Sequence, residues 1–373
     1  MSRFEPPSPP GRGGVGGEGD RLVIYGATGY TGKLVSRAAA ERGLEPLLAG
    51  RSEARLRAVA EPLGLPYRAA PVDDAAALDA LLAEARVVLH LAGPFSATSR
   101  PMADACLRTG THYLDVTGEI DVFEALAGRD AEARDRGIML MPGVGFDIVP
   151  TDCLAAHLAA CLPAATELRL YVSGLGAASR GTAKTGVESL GAGTRERRGG
   201  RIGRLRWGDR ARVDFGDGDR ECVAIGWGDV ATAYHTTGIP DVRVYFEATA
   251  QLRTLDVLSR HFRWLMGSSP VKAVLKAAVE RQPEGPSERH RARGRCVILG
   301  EARDAGGRRV RARLATPESY TLTVHTALAV AERVLAGAAS PGFQTPGGLF
   351  GPDFILEFEG CERRDLDEDD VPS

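Results

Sequence analysis

The sequence predicts an α/β chain: an N-terminal Rossmann-type, doubly wound parallel sheet, then a C-terminal α+β domain with a mixed or antiparallel sheet. Three observations carry this. From Arg21 onward, short apolar runs alternate with Ala- and Arg-rich stretches of helical spacing, the repeat that builds a parallel sheet with helices on both faces. The first apolar run ends directly in a glycine-rich turn. Beyond about residue 160 the order changes to clustered strands and then helices, which suits α+β layering.

The expected strands of the first half are 22–25, 46–49, 67–71, 87–91, 112–116 and 138–141. Helices are expected over 33–42, 54–61 and 100–109, the last closed by Gly110 as a C-cap. In the second half, 167–173, 201–213, 241–250 and 293–303 read as strands, and 303–308 reads as a hairpin turn into 309–315. Helical spacing marks 251–266, 270–280 and 320–335, with 282–291 a polar, Pro-containing link. Residues 1–20, rich in Pro, Gly and charge, read as a disordered tail, and 359–373 as an acidic one. The expected division is a cofactor domain at 21–150 and a substrate and dimerisation domain at 151–358, whose last segment is free to return to the first sheet.

Bulk properties narrow the function. The 373 residues are 43% hydrophobic, enough for a substantial core, and the formal net charge of -2 argues against a nucleic-acid partner. Only four of the 47 basic residues are lysines, which reads as the bias of a GC-rich genome. The six cysteines form no C-x-x-C pair and no Cys/His spacing of the zinc-site kind, so no metal and a reduced, cytoplasmic compartment are expected. No secretory h-region is visible, and no apolar run approaches the roughly 18 residues that span a bilayer. Peripheral membrane contact stays open.

The chemistry starts at Gly26-Ala27-Thr28-Gly29-Tyr30-Thr31-Gly32, where a strand runs into a helix. Glycines there let the backbone turn tightly and approach a pyrophosphate, while the helix N-terminus offers amide donors and partial positive charge. The first glycine interval is three residues rather than the two of the strict dinucleotide fingerprint. The second strand ends in Gly50-Arg51-Ser52, where a site for the unphosphorylated cofactor usually places an acid. Arg51 can fork onto a 2′-phosphate and Ser52 can add a hydroxyl, so NADP(H) is the expected cofactor. The plainer alternative makes Arg51 a solvated residue at a helix start. Asp73 after the third strand suits either the adenine amino group or an Asx cap. Ala92-Gly93-Pro94-Phe95 follows the fourth strand, where the chain must pass the nicotinamide half.

Two clusters fall at later strand ends, where open α/β sheets keep their ligands. They are 113–119, with Asp115 and Glu119, and 142–152, with Asp147, Thr151 and Asp152. Asp115, Glu119 and Asp147 are candidates for acid–base work or substrate orientation; Thr151 and Asp152 equally suit helix capping. Further on, Asp229, Thr232, Tyr234 and His235 sit in a strand-like stretch ending in Gly238-Ile239-Pro240. Tyr234 or His235 can serve as proton donor, with a buried, satisfied histidine as the alternative. No tyrosine has a lysine four positions on, which removes the short-chain dehydrogenase pair.

These motifs resemble the saccharopine dehydrogenase-like oxidoreductases, including their trans-acting enoyl reductase branch. The matching runs are 26–32, 49–52, 92–95, 113–119, 142–152, 179–182 with 188–189, 226–240 and 342–346. The resemblance implies an NADP(H)-binding N-terminal domain and a C-terminal domain that shapes a substrate cleft. It also implies hydride transfer to an activated double bond of a small or carrier-bound substrate. The 226–240 run leans towards C=C of an enoyl, polyketide or lipid type. Imine (C=N) reduction and a non-catalytic NADP(H) sensor or scaffold are the alternatives; the oligomeric state stays open, a homodimer among the options.

Overall fold

A computed structural model describes residues 21–190, 193–205, 209–249, 252–253 and 268–366. The 1–20 tail, and all of the expected 251–266 helix except Leu252 and Arg253, lie outside the described residues.

The first half runs β1 (Arg21–Tyr25), α1 (Tyr30–Glu41), β2 (Leu47–Gly50), α2 (Glu53–Ala60), β3 (Tyr67–Ala69), α3 (Ala75–Leu82), β4 (Ala85–His90), α4 (Phe95–Thr109), β5 (His112–Asp115), α5 (Ile120–Ala127), α6 (Asp130–Asp135), β6 (Met139–Met141) and α7 (Val149–Cys161). The second half runs β7 (Ala165–Ser173), α8 (Arg180–Ser189), β8 (Arg195–Arg198), β9 (Arg201–Arg204), β10 (Arg210–Asp214), β11 (Asp219–Ala224), α9 (Asp229–Thr237) and β12 (Asp241–Glu247). It continues with α10 (Ser269–Glu280), α11 (Glu288–Arg293), β13 (Arg295–Asp304), β14 (Arg309–Pro317), α12 (Ser319–Leu335), β15 (Gly342–Phe343), α13 (Pro346–Phe350) and β16 (Glu362–Leu366).

The first sheet has the order β15-β6-β5-β4-β1-β2-β3, with parallel neighbours throughout. Strand order reverses between β1 and β4, the switch point where open α/β sheets keep their ligand crevice at the strand C-termini. The second sheet orders β10-β11-β12-β7-β13-β14-β16, with β8 pairing β12 and β9 pairing β8. It is mixed: β12 and β7 are parallel, while β7, β13 and β14 run antiparallel. The fold class is therefore the one the strand–helix alternation predicts.

Two helices weld the sheets together. Helix α7 leaves β6 and buries Cys153, Leu154 and Leu158 against β13 and β14. Helix α12 comes from the second half but lies over β4, β1 and β5 beside α1. One apolar cluster thus contains Ile24, Leu89 and Leu114 of the first sheet together with Leu170, Val244 and Ile298 of the second.

Four local expectations are corrected. Residues 229–237 are helix α9, not strand: Val230, Ala231 and Ala233 bury against α7 and β12, and Gly238 closes the helix in a left-handed conformation. Tertiary packing there overrides a local run rich in Thr and Tyr. The 201–213 stretch is two strands, β9 and β10, rather than one. The polar 282–291 link runs into α11, capped by Ser287. The acidic 359–373 segment is not all tail, since β16 pairs with β14 from Glu362 to Leu366. Backbone pairing holds that charged edge strand, which carries no apolar alternation to read.

Candidate active site

The crevice begins at the Gly26–Gly32 turn. Gly26 has φ +87°, and a Cβ there would stand 2.7 Å from the Ala92 amide nitrogen. A Cβ on Gly32 would come within 2.2 Å of the Gly26 carbonyl oxygen. These two glycines let β1, α1 and the loop after β4 touch. Gly29 differs: its nearest neighbour is the Gly26 oxygen at 3.4 Å, so internal packing does not demand its missing side chain. What it leaves clear is the approach to the helix end. No side chain caps α1 and no acid lies in its first turn, so the first-turn amides keep their donors for an incoming anion. The Thr28 and Thr31 hydroxyls make no hydrogen bond among the described residues. A pyrophosphate fits this cradle.

Arg51 stands exposed at the end of β2 with no hydrogen bond or ion pair among the described residues. The Ser52 hydroxyl makes no cap on α2. Asp73 is exposed as well; the Asx cap of α3 belongs to its neighbour Asp74, which accepts from the Ala77 amide at 3.0 Å. Arg51 and Asp73 both face the Tyr25 phenol, whose pKa burial pushes up to about 12, with Asp73 raising it and Arg51 lowering it.

The Ala92–Phe95 loop is fixed from two sides. Thr98 donates to the Ala92 carbonyl at 2.7 Å, and the Glu119 carboxylate accepts from the Phe95 and Ser96 amides at 2.8 and 3.0 Å. Glu119 therefore caps α4 rather than offering a free acid. Asp115 is equally committed: fully buried, it accepts from the Tyr113 hydroxyl at 2.5 Å and from the Thr117 and Gly143 amides at 2.9 Å each.

Asp147 is different. Its carboxyl makes no hydrogen bond among the described residues, and burial alone pushes its pKa up to about 7. Its backbone is held firmly. Trp227 Nε1 donates to the Asp147 carbonyl at 2.9 Å, Phe146 N donates to Thr323 Oγ1 at 3.0 Å, and Thr326 Oγ1 donates to the Val144 carbonyl at 2.9 Å. Gly118 and Trp227 flank it: a Cβ on Gly118 would meet Asp147 Oδ2 at 3.1 Å. Tyr320 also faces it, with burial first and Asp147 among the causes that raise the Tyr320 phenol.

Tyr320 links this carboxyl to the cofactor turn. Its ring stands edge-on to Tyr30 at 5.1 Å, and its hydroxyl accepts from the Ser179 amide at 2.6 Å. Tyr30 itself donates to the Pro286 carbonyl at 2.6 Å and accepts from Arg291 at 3.0 Å. Lys33 pairs with Glu284 at 2.8 Å. The C-terminal half thus closes over α1, and Tyr30 serves that closure. Tyr320 escaped the sequence reading of the site, and Ser179 and Trp227 fell in the matched runs 179–182 and 226–240 without a role, because nothing local ties them to the glycine turn.

Tyr234 and His235 are engaged elsewhere. Tyr234 lies under Arg197, 4.3 Å from guanidinium carbon to ring centroid. His235 Nε2 is 3.2 Å from Glu124 Oε1, and its ring meets Phe343 of β15 at 5.0 Å. Arg197 also reaches Glu124, at 2.5 Å. This network ties α9 to α5, β8 and β15, and among the described residues its contacts reach neither Asp147 nor the glycine turn.

Behind Asp147 lies Asp229, fully buried. Both its carboxylate oxygens lack a hydrogen-bond partner among the described residues, because the nearby Thr151 hydroxyl donates to the Ile148 carbonyl at 2.9 Å. Burial first, with Asp152 and Asp147 adding, holds its pKa well above the usual carboxylate range. A folded pKa above the unfolded one means the folded state keeps a proton that the unfolded state releases, so stability falls as pH rises past the unfolded value. Asp229→Asn removes that dependence. From pH 5 to 8 the melting temperature of the variant should gain on wild type by about 2–4 °C per kcal/mol of relief. Parallel melting curves across that range would remove the buried acid from the account.

The order β3-β2-β1-β4-β5-β6, the uncapped turn at the switch point and an Arg51 that is unpaired among the described residues define a dinucleotide-binding fold. Comparison with known proteins shows what the chain is similar to. Residues 22–141 match the saccharopine dehydrogenase NADP binding domain. The trans-acting enoyl reductase of Mycobacterium ulcerans is 35% identical over 151 residues, 37% of this chain and 35% of that protein. That of Mycobacterium leprae is 37% identical over 139 residues, 35% of this chain and 33% of that protein. The aligned region thus spans about a third of these relatives. The apo saccharopine dehydrogenase (L-Glu forming) of Saccharomyces cerevisiae superposes with a TM-score of 0.65, covering 94% of this chain and 100% of that one at 13% identity, which shows a shared fold. Among the described residues no helix is long and apolar enough to cross a membrane.

Proposed function

We propose that the chain is an NADPH-dependent reductase of an activated C=C bond, acting on an enoyl, polyketide- or lipid-type substrate, free or carrier-bound. The observation that carries this reading is Asp147: a carboxyl at the crevice with a pKa near 7 and no internal partner, the property expected of a group that moves a proton at neutral pH. Bound NADPH would supply the hydride. The Gly26–Gly32 turn would hold the pyrophosphate, Arg51 and Ser52 the 2′-phosphate, Asp73 the adenine edge, and Ala92–Phe95 the nicotinamide half. Asp147, neutral below about pH 7, would give its proton to the substrate carbon or oxygen that becomes electron-rich. Trp227 and Tyr320 would exclude water from it.

The relatives named as enoyl reductases support C=C over C=N.

The test is isotope transfer from 4-deuterated NADPH to a panel of 2-enoyl thioesters, on coenzyme A and on carrier protein, beside a panel of imines. Deuterium in a saturated thioester is the expected result. Deuterium only in an amine product would replace the C=C reading. Tight NADPH binding with no transfer to either panel would favour the sensor.

A further inference from the structure

Away from the crevice, one group of three unlike metal-ligating side chains meets among the described residues. His157 and Cys161 are four residues apart on α7, so they project from adjacent turns of one face. Asp365 of the edge strand β16 faces them. His157 Nε2 lies 2.6 Å from Asp365 Oδ1 and 3.7 Å from Cys161 Sγ, and the three donor atoms all lie within 4.8 Å of one another. We propose that His157, Cys161 and Asp365 form a site for a divalent metal of the Zn²⁺ class, which staples the C-terminal edge strand to α7.

The distances suit such an ion. Tetrahedral zinc with ligands at about 2.0–2.3 Å spaces its donors roughly 3.3–3.8 Å apart. The Cys161–His157 pair already has that spacing. The His157–Asp365 pair must open by under about 1 Å. Asp365 can supply that movement, since its side chain is 66% exposed, whereas that of His157 is only 14% exposed and sits firmly. A thiolate and an imidazole on one ion select zinc-like metals over magnesium or calcium. Three protein donors on an exposed face leave the fourth position to water.

The site also fits its place in the fold. Helix α7 packs on β13 and β14, and β16 pairs with β14 as a polar edge strand that buries little. A metal bridge would add to backbone pairing a hold that apolar contacts do not supply. Sequence spacing could not show this, because Asp365 is 208 residues from His157. The competing arrangement is an ion pair between His157 and Asp365, with Cys161 beside it as a bystander.

Titration of the full chain with Co²⁺ separates the two. The metal site predicts one bound Co²⁺ per chain with a thiolate charge-transfer band, bleached when Zn²⁺ displaces it. Cys161→Ser should abolish the band, and His157→Gln and Asp365→Asn should each weaken binding at least tenfold. Binding should tighten between pH 6 and pH 8, because the imidazole and the thiol must both lose protons to bind the metal. Excess Zn²⁺ should raise the melting temperature of wild type and leave Cys161→Ser unmoved. The absence of a thiolate band at millimolar Co²⁺ would overturn the proposal. So would a band that survives Cys161→Ser, or Co²⁺ affinity unchanged in both other variants while far-UV circular dichroism shows them folded.

Discussion

Asp147→Asn is expected to cut kcat by about 10²–10⁴-fold, the range of a lost general acid, while NADPH affinity stays near that of wild type. The substitution keeps the shape that Trp227 and Gly118 pack against and removes only the transferable proton. The pH profile sharpens the test. A donor whose pKa is pushed up to about 7 is active as the neutral acid, so kcat/KM of wild type should hold below that pH and fall tenfold per unit above it. The Asn variant, with no proton to lose, should show a low and flat profile. A merely structural aspartate would change stability and leave the alkaline limb in place. Activity within a few-fold of wild type, or an alkaline limb that persists in the variant, would move proton delivery to water or to another group. Tyr320 is the next candidate, because its ring lies between Asp147 and Tyr30.

The first sheet was legible because its signals are local. Buried parallel strands read as short apolar runs, and six of its seven strands fall where those runs predict them. The seventh, β15, comes from Gly342–Phe343 and pairs with β6 from the far end of the chain, a contact that two residues cannot announce. The glycine turn was legible because close approach restricts which residue fits, as the contacts at Gly26 and Gly32 show. Acid–base roles were harder to read. Asp115, Glu119 and Asp147 look alike in sequence, and only hydrogen-bond partners separate them: Asp115 is tied to Tyr113, Glu119 caps α4, and the half-buried Asp147 carboxyl has no partner among the described residues. Tyr234 and His235 drew attention by residue type, yet Arg197 and Glu124 claim them. Helix α9 misled because its stability lies in packing on α7, a fact about another segment.

The other large effect concerns cofactor choice. Arg51→Ala should weaken NADPH binding by about 1.5–3 kcal/mol, the worth of hydrogen bonds to a charged group, which is roughly 10- to 150-fold. NADH binding should change little, so the preference collapses through loss of the phosphorylated cofactor rather than gain of the other. The reasoning is in the free side chain. Arg51 is exposed and holds no partner among the described residues, so nothing internal competes for its guanidinium, and removing it leaves no buried charge behind. Arg51→Asp should go further. A carboxylate at the end of β2 suits a ribose 2′-hydroxyl and repels a 2′-phosphate, so this variant should prefer NADH. Asp73 sets the limit, since it already faces the same Tyr25 phenol and a second carboxylate there adds repulsion. Fluorescence titration of both cofactors against wild type and the two variants reads the result directly. If wild type binds NADH and NADPH equally, or if Arg51→Ala weakens both alike, Arg51 is a solvated residue at the start of α2 and the phosphate is recognised elsewhere.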